Sequence, residues 1–220
     1  LLTIIKNKPC SIMQKLNGAT VEKTNIDICR SLGKLIARFH IASSKFKTKI
    51  INSRDIKWVE KTIDKLTNDV SKSQMKLLIK ARKVFTDFFN RKLPMGIIHS
   101  DLFRDNVLAN KNNITGIIDY YYSFTGPLVY ELAVIINDWC VNKDGSINKR
   151  RVEALIQSYN SVRKINKSEM KEINNAMVAA SLRFYLSRLS DMVFPKVGEI
   201  THIKDPYIFE NILVQRLNIK

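Results

Sequence analysis

Cysteine, proline and glycine are scarce in this 220-residue chain, which contains 3, 5 and 7 of them. The cysteines (Cys10, Cys29 and Cys140) are scattered, without the C-x-x-C spacing of a zinc site or the density of a disulfide framework. No stretch reaches the roughly 18 uncharged apolar residues that a membrane helix needs. These absences argue against a disulfide-stapled or zinc-bound domain and against a membrane helix, and they favour the reducing cytoplasm.

The first residues give little sign of a targeting signal. The apolar run Leu1–Ile5 is short, and Lys6, Lys8 and Pro9 soon interrupt it, so we expect no secretory signal. The chain opens on leucine rather than methionine, which suggests a fragment. Its hydrophobic content of 45% is enough for one full-sized core, or for one large lobe with part of another.

Acidic residues are few: 20 Asp and Glu stand against 37 Lys and Arg, for a formal net charge of +17. Such a charge is typical of proteins that bind nucleic acids or anionic membranes, and a kinase that holds nucleotide phosphates would also tolerate it. The basic residues are spread along the chain, and lysine, isoleucine and asparagine are abundant throughout. We interpret the charge as a solvated, lysine-rich surface and expect no nucleic-acid or membrane partner.

Helical periodicity dominates what is present. Apolar residues from Ile28 to Phe39 recur on one helical face. The same spacing predicts two helices within 55–90 and one over 128–139. Further helices are predicted near 149–163, near 168–193 with Pro195 ending it, and after Asp205-Pro206.

Short β-type runs predict small sheets. Leu1–Ile5 and Cys10–Leu16 read as two strands joined by a turn at 6–9, and they are expected to belong to a larger sheet because two strands alone are marginally stable. Three more strands are predicted at Met95–Ile98, Val107–Ala109 and Ile114–Ile118. The whole pattern predicts an α+β fold, a mostly helical lobe with a small β insert and a preceding sheet remnant.

The polar residues of greatest interest lie among these strands. His99, Asp101 and Asn106 form an H-x-D-x-x-x-x-N pattern, and Asp119 follows thirteen residues after Asn106. Phosphoryl transfer to an alcohol needs a carboxylate that orients the hydroxyl and accepts its proton, and it needs hard oxygen ligands for Mg²⁺. Apolar residues flank each polar member, and polar groups among buried strands are costly without a function. The set predicts a kinase-type site, with an ordinary surface loop as the alternative.

These residues also carry a family resemblance. The run His99–Asn106, with I-D-Y-Y-Y from Ile118, resembles the catalytic and metal motifs of the aminoglycoside-phosphotransferase-like (APH) superfamily, which has a protein-kinase-like fold. The residues in and around these motifs are similar to those of the homoserine kinases of this superfamily. The likeness extends over nearly all of the chain, through Lys8–Gly18, Tyr130–Cys140, Leu182–Leu189 and Lys204–Pro206.

The resemblance implies ATP and Mg²⁺ as cofactors. Asp101 would be the catalytic base, Asn106 and Asp119 would ligate Mg²⁺, and His99 would brace the loop. Asp105 would support the site or contact the substrate.

The resemblance also implies two sets of ligand-binding residues. The adenine would lie along Met13, Gln14, Lys15 and Leu16. Arg183 and Arg188 are candidates for the carboxylate of an amino-acid substrate, since arginine pairs with carboxylates bidentately. Surface ion pairs are the alternative for both arginines.

The resemblance also divides the chain. Residues 1–18 would be a remnant of the N-terminal lobe with the hinge, and 19–220 the C-terminal kinase lobe with the catalytic and metal loops at 97–122. The family's phosphate-covering loop and its strand lysine paired with a helix glutamate have no counterpart here. We therefore expect weak or absent activity from this chain alone, and a separate chain that completes the N-terminal lobe is one candidate partner.

The predicted reaction is the ATP-dependent phosphorylation of L-homoserine, a small-molecule substrate, in threonine biosynthesis. A kinase for choline or an aminoglycoside is the alternative within enzymes. A non-catalytic kinase-fold binding protein and a basic nucleic-acid binder are alternatives from other classes.

Overall fold

The computed structural model describes residues 2–195 and 204–219, so Leu1 of the predicted first strand lies outside the described residues. The described residues form seven α-helices and seven short β-strands, which confirms the α+β class. The helices are α1 Ile26–Ser43, α2 Ile56–Lys65, α3 Lys72–Phe89, α4 Leu128–Trp139, α5 Lys149–Asn160, α6 Lys167–Val193 and α7 Tyr207–Leu217. The strands are β1 Leu2–Ile5, β2 Lys8–Ser11, β3 Ala19–Thr20, β4 Met95–Ile98, β5 Val107–Asn110, β6 Asn113–Ile117 and β7 Phe124–Pro127.

Local sequence sets the bounds of the longer helices. At the start of α3, Ser71 and Gln74 form a capping box, and Asn166 and Glu169 form another at the start of α6. In each box a side chain satisfies a backbone N–H that has no partner within the helix. Helix α6 ends at Val193, two residues before Pro195, whose ring and missing N–H are incompatible with a helix interior. The predicted end is confirmed.

Helices α4 and α6 form the centre of the core. Helix α6 packs against α3, α4 and α7, and residues 176–186 are buried without interruption. This part of α6 therefore has no single apolar stripe, because a helix enclosed on all sides buries its whole circumference. Polar side chains on these two helices must find partners inside the protein, and two of them, Glu131 and Arg183, find theirs in the predicted site.

The first hairpin differs from the prediction. The turn consists of Lys6 and Asn7, which both have positive φ (48° and 60°), and β2 therefore begins at Lys8 rather than Cys10. Residues 12–16 have no regular structure, so the strand predicted to reach Leu16 is wrong there. Within the described residues β1 pairs with β2 alone, and the expected membership of a larger sheet stays a prediction.

The other two sheets bring four strand ends together. Strand β5 pairs with β3 and β6, and β4 pairs with β7, all antiparallel. The register places Ile98 opposite Phe124 and Val107 opposite Ile117. The two connections that carry the predicted site, 99–106 and 118–123, therefore link the same two pairs of strand ends and must lie side by side. Strands β3 and β7 were not predicted, because the first has two residues and the second contains glycine and proline.

None of the described helices is both long enough and apolar enough to span a membrane. The division of the chain at residue 18 stays a prediction.

Candidate active site

A buried carboxylate holds the start of the first connection. Glu131 lies on α4 with no exposed surface, and it accepts hydrogen bonds from the backbone N–H groups of His99 and Ser100, at 2.5 Å and 3.1 Å. Burial raises the pKa of Glu131 to about 7, although the two N–H donors favour the carboxylate form. Ser100 has a positive φ of 63°, and its hydroxyl donates to the carbonyl of Tyr122. The backbone that leads into Asp101 is thus fixed from the core.

Asp101 follows directly and is held by two side chains, those of Asn106 and Arg183. The Asn106 amide nitrogen donates to the Asp101 carbonyl oxygen at 2.7 Å, so the two ends of the loop meet. The guanidinium of Arg183, on α6, donates to Asp101 Oδ1 at 3.1 Å. The Arg183 side chain is 4% exposed and that of Asp101 is 20% exposed. Arg183 is therefore a buried partner of the predicted base rather than a surface residue.

His99 joins the two connections. Its Nδ1 accepts from the backbone N–H of Asp101 at 3.2 Å, and its Nε2 lies 2.9 Å from the carbonyl oxygen of Ile118. Burial lowers the pKa of His99, although the Ile118 carbonyl and nearby carboxylates raise it. A neutral ring with the proton on Nε2 satisfies both bonds. Both ring nitrogens are thus engaged in holding backbone, which supports the bracing role rather than proton transfer.

Asp119 differs from these residues in its exposure. It has a positive φ of 62° and precedes a short 3₁₀ turn, Tyr120–Tyr122. Its carboxylate accepts one long hydrogen bond, 3.4 Å from the Tyr121 N–H. Asp119 is consequently presented to solvent at the end of β6.

The residues predicted to hold Mg²⁺ fit a partial ligand set. No group of three or more His, Cys, Asp or Glu within 2–195 and 204–219 could hold a metal by itself. Mg²⁺ binds through one or two carboxylates and keeps waters and substrate phosphates as its other ligands. Asp119 offers a carboxylate, and Asn106 uses its amide nitrogen on Asp101 and keeps its oxygen for another partner. The two residues suit a metal that a nucleotide brings with it.

The segment predicted to lie along the adenine runs beside β6. All of Met13, Gln14, Lys15 and Leu16 are exposed, and Met13 is 82% exposed. A Cβ atom at Gly116 would lie 2.3 Å from Leu16 Cδ1, so the missing side chain of Gly116 makes room for Leu16. The Thr115 hydroxyl donates to the carbonyl of Asn17. The segment is therefore placed next to the strand that ends two residues before Asp119.

The remaining predicted residues line one polar cleft. Asp105 forms an exposed ion pair with Lys204, and the Arg188 Nη1 donates to the backbone carbonyl of Asp205 at 3.1 Å. Both Asp105 and Arg188 line a cleft of about 440 Å³ beside the catalytic loop. The structure thus separates the two arginines, with Arg183 at Asp101 and Arg188 in the cleft.

Sequence reasoning missed Glu131 as a site residue. Its signal is a carboxylate in the middle of an apolar helical run, Leu128–Ile136. Such a residue needs hydrogen-bond partners inside the protein. The sequence gives no indication that those partners are the N–H groups of His99 and Ser100.

Comparison with known proteins gives two kinds of relatives. Residues 4–165 match the model of the phosphotransferase enzyme family, APH. The homoserine kinase of Methylobacillus flagellatus is 36% identical over 209 residues, which are 95% of this chain and 66% of that protein. The homoserine kinase of Neisseria meningitidis serogroup B is 33% identical over 212 residues, or 96% of this chain and 70% of that protein. The chain spans about two thirds of the length of these curated relatives.

Solved structures show the same fold at low identity. An amicoumacin kinase in complex with AMP-PNP, Ca²⁺ and Ami matches with a TM-score of 0.66 and 11% identity, covering 92% of this chain and 61% of that one. A Plasmodium vivax ethanolamine kinase matches with a TM-score of 0.64 and 12% identity, covering 98% and 66%. At these identities the likeness shows the fold alone, and it is the fold predicted from the sequence.

Proposed function

The chain belongs to the phosphotransferase enzyme family, and from this premise we propose that it is the catalytic part of an ATP-dependent kinase for the hydroxyl group of L-homoserine. The product would be O-phospho-L-homoserine, a precursor in threonine biosynthesis. The three free cysteines suit the reducing cytoplasm as the place of the reaction.

The main support is the convergence of the two connections. Asp101 and Asn106 lie on one of them and Asp119 on the other, with His99 hydrogen-bonded to both. A base, two metal-binding oxygens and a brace in adjacent loops are the parts that phosphoryl transfer to an alcohol requires.

Asp101 would act as the general base. Arg183 occupies Oδ1, and Asn106 reaches Oδ2 only at 3.5 Å, so Oδ2 is the oxygen with room for a substrate hydroxyl. This oxygen would orient the hydroxyl and take its proton while the substrate oxygen bonds to the γ-phosphorus and the bond to the β,γ-bridging oxygen breaks. The electron pair of the broken bond leaves with ADP. Arg183 is a positioning residue, because it binds Oδ1, the carboxylate oxygen that does not face the substrate.

The cofactors would be held by the residues around this base. Mg²⁺, when bound, neutralises charge on the phosphates. Asn106 and Asp119 would supply its protein ligands, and residues 13–16 would lie along the adenine. A further chain or segment that completes the phosphate-binding side is the partner we propose, since the described residues contain no glycine-rich phosphate loop.

The test is release of ADP from MgATP in the presence of L-homoserine, with ethanolamine and an aminoglycoside as competing substrates. We expect the chain alone to be weak, and we expect activity to rise after fusion to the part of a homoserine kinase that it does not match. Asp101→Ala is the matched control. Release that persists in the Asp101→Ala protein would contradict the role of Asp101, and a preference for ethanolamine would contradict the substrate.

A further inference from the structure

The two arginines of α6 have different partners. The guanidinium of Arg183 is committed to Asp101 and is almost fully buried. Arg188, five residues later and half-buried, forms no ion pair with any residue in 2–195 or 204–219. Its described polar contact is one hydrogen bond to the backbone carbonyl of Asp205. Arg188 is thus available to bind an anion, and Arg183 is not.

The surroundings of Arg188 fix its guanidinium and remove part of its water. The group lies 4.6 Å from the ring centroid of Phe209 and 5.9 Å from that of Phe103. Burial lowers the pKa of Arg188, although four carboxylates around it raise the pKa. Arginine tolerates such sites because it is weakly hydrated and stacks on aromatic rings, and it presents a planar fork that matches a carboxylate.

Arg188 faces the polar cleft, whose walls include the catalytic loop itself. Phe103, Arg104 and Asp105 lie between the proposed base and the proposed metal ligand Asn106. The cleft contains both signs of charge. Its charged lining residues are Arg188, Lys204, Arg104, Asp105, Asp138 and Glu22.

Most of these charges are already paired. Arg104 donates to both oxygens of Asp138, at 3.1 Å. Asp105 pairs with Lys204, but both side chains of that pair are about half exposed, at 53% and 49%. An exposed pair of this kind is weak and exchanges readily for a ligand charge. The cleft therefore offers a cation at Arg188 and an exchangeable carboxylate at Asp105.

We propose that this cleft is the subsite for the α-carboxylate and α-ammonium groups of the substrate, with Arg188 pairing with the carboxylate and Asp105 with the ammonium. The proposal rests on the proposed function, since it takes Asp101 as the site of the hydroxyl. Arg183 is excluded as the carboxylate receptor, because its guanidinium already pairs with Asp101.

The proposed base lies near this cleft. Asp101 is close enough to Arg188 for its charge to raise the pKa of the guanidinium, so the base and the cleft are neighbours. A substrate without a carboxylate would leave Arg188 unpaired in the cleft and would bind less tightly.

Binding measured without ATP tests this subsite. The 220-residue chain is titrated, with detection by NMR, with L-homoserine, with 3-aminopropan-1-ol, which lacks the carboxylate, and with 4-hydroxybutyrate, which lacks the ammonium. We expect L-homoserine to bind roughly 10- to 100-fold more tightly than 3-aminopropan-1-ol, the ratio typical of one lost charge-assisted bond. Arg188→Met should remove most of this difference, and Asp105→Asn should remove the preference over 4-hydroxybutyrate.

Two further variants separate the subsite from general effects. Lys171→Met removes an exposed positive charge from the same helix, far from the cleft in sequence, and should change no affinity. Arg188→Lys keeps the charge but not the planar fork, and it should weaken binding of L-homoserine with the fold unchanged.

The proposal is overturned if Arg188→Met binds L-homoserine as the parent chain does, or if the parent chain binds neither L-homoserine nor its analogues. The first result leaves the proposed function untouched, whereas the second also counts against L-homoserine as the substrate. Neither decides phosphoryl transfer itself, which ADP release with other alcohols tests separately. Conversely, carboxylate-dependent binding without any phosphoryl transfer, even after fusion to the part of a homoserine kinase that the chain does not match, would support the subsite and refute the kinase.

Discussion

The two connections of the site lie side by side but are built differently. In the first, from His99 to Asn106, residues 99, 100, 102 and 103 are buried. In the second, Asp119, Tyr120 and Tyr121 are exposed, and Tyr121 is 83% exposed. The base is therefore set by the protein before any ligand binds, whereas the second connection leaves its carboxylate for a ligand to complete.

The core helices explain this difference. Glu131 on α4 and Arg183 on α6 both contact the first connection. Each is a buried ionisable residue whose hydrogen-bond partner lies in that loop. The second connection receives hydrogen bonds from His99 and Ser100 through its backbone carbonyls. Substitutions in the first connection should therefore change stability as well as activity, and substitutions in the second should change activity alone.

The largest expected effect on stability is that of Asp101→Ala. It leaves the guanidinium of Arg183 buried and unpaired, which should lower the free energy of unfolding by about 3 to 5 kcal/mol. Urea denaturation followed by circular dichroism measures it. The double variant Asp101→Ala/Arg183→Met should recover part of the loss, since it also removes the unpaired charge. If the single variant costs less than about 0.5 kcal/mol, the ion pair does not anchor the loop.

Glu131 provides a second test, through pH. Its folded pKa of about 7 lies above the ordinary 4.5, so the folded protein binds this proton more tightly than the unfolded chain does. The resulting stabilisation is complete below pH 4.5 and is lost as pH rises through 7. The free energy of unfolding lost over this pH range is at most on the order of 3 kcal/mol.

Glu131→Gln removes this titration and keeps an oxygen that can accept from the His99 N–H. The stability of the parent chain relative to Glu131→Gln should therefore fall between pH 4.5 and 7.5. Chemical denaturation at several pH values provides the comparison, and the high net positive charge affects both proteins alike. Parallel stability curves for the two proteins would show that Glu131 does not titrate in this range.

The comparison also shows which parts of the site could be predicted. Asp101, Asn106 and Asp119 were predicted because their spacing and apolar flanks are local in the sequence, and the same holds for the strands β4, β5 and β6. Glu131 and Arg183 were not identified as the anchors of the loop, although Arg183 was singled out as a substrate candidate. Their contacts join residues 32 and 82 positions apart, and only the packing of α4 and α6 brings them together.

Errors in the fold have equally physical causes. The two-residue turn at Lys6 and Asn7 sets the register of the hairpin, in which Ser11 pairs with Leu2, and the strand expected to reach Leu16 stops there. Apolar composition alone does not reveal where such pairing ends. The sequence predicts helix α6 but not the unbroken burial of 176–186, since neighbours on every side are a property of the tertiary structure.

The smallest expected effect on stability is that of Asp119→Asn. The side chain is exposed and makes one long hydrogen bond, so the free energy of unfolding should change by less than about 0.5 kcal/mol. Binding of ATP should lose its dependence on Mg²⁺, because the amide is a poor substitute for a carboxylate ligand of a hard cation. Titration of a fluorescent ATP analogue with and without Mg²⁺ measures this. Asp144→Asn, at another exposed carboxylate outside the site, is the control and should leave the Mg²⁺ dependence intact. A loss of several kcal/mol in the Asp119→Asn protein would show that the second connection is anchored like the first, and the contrast between them would then fail.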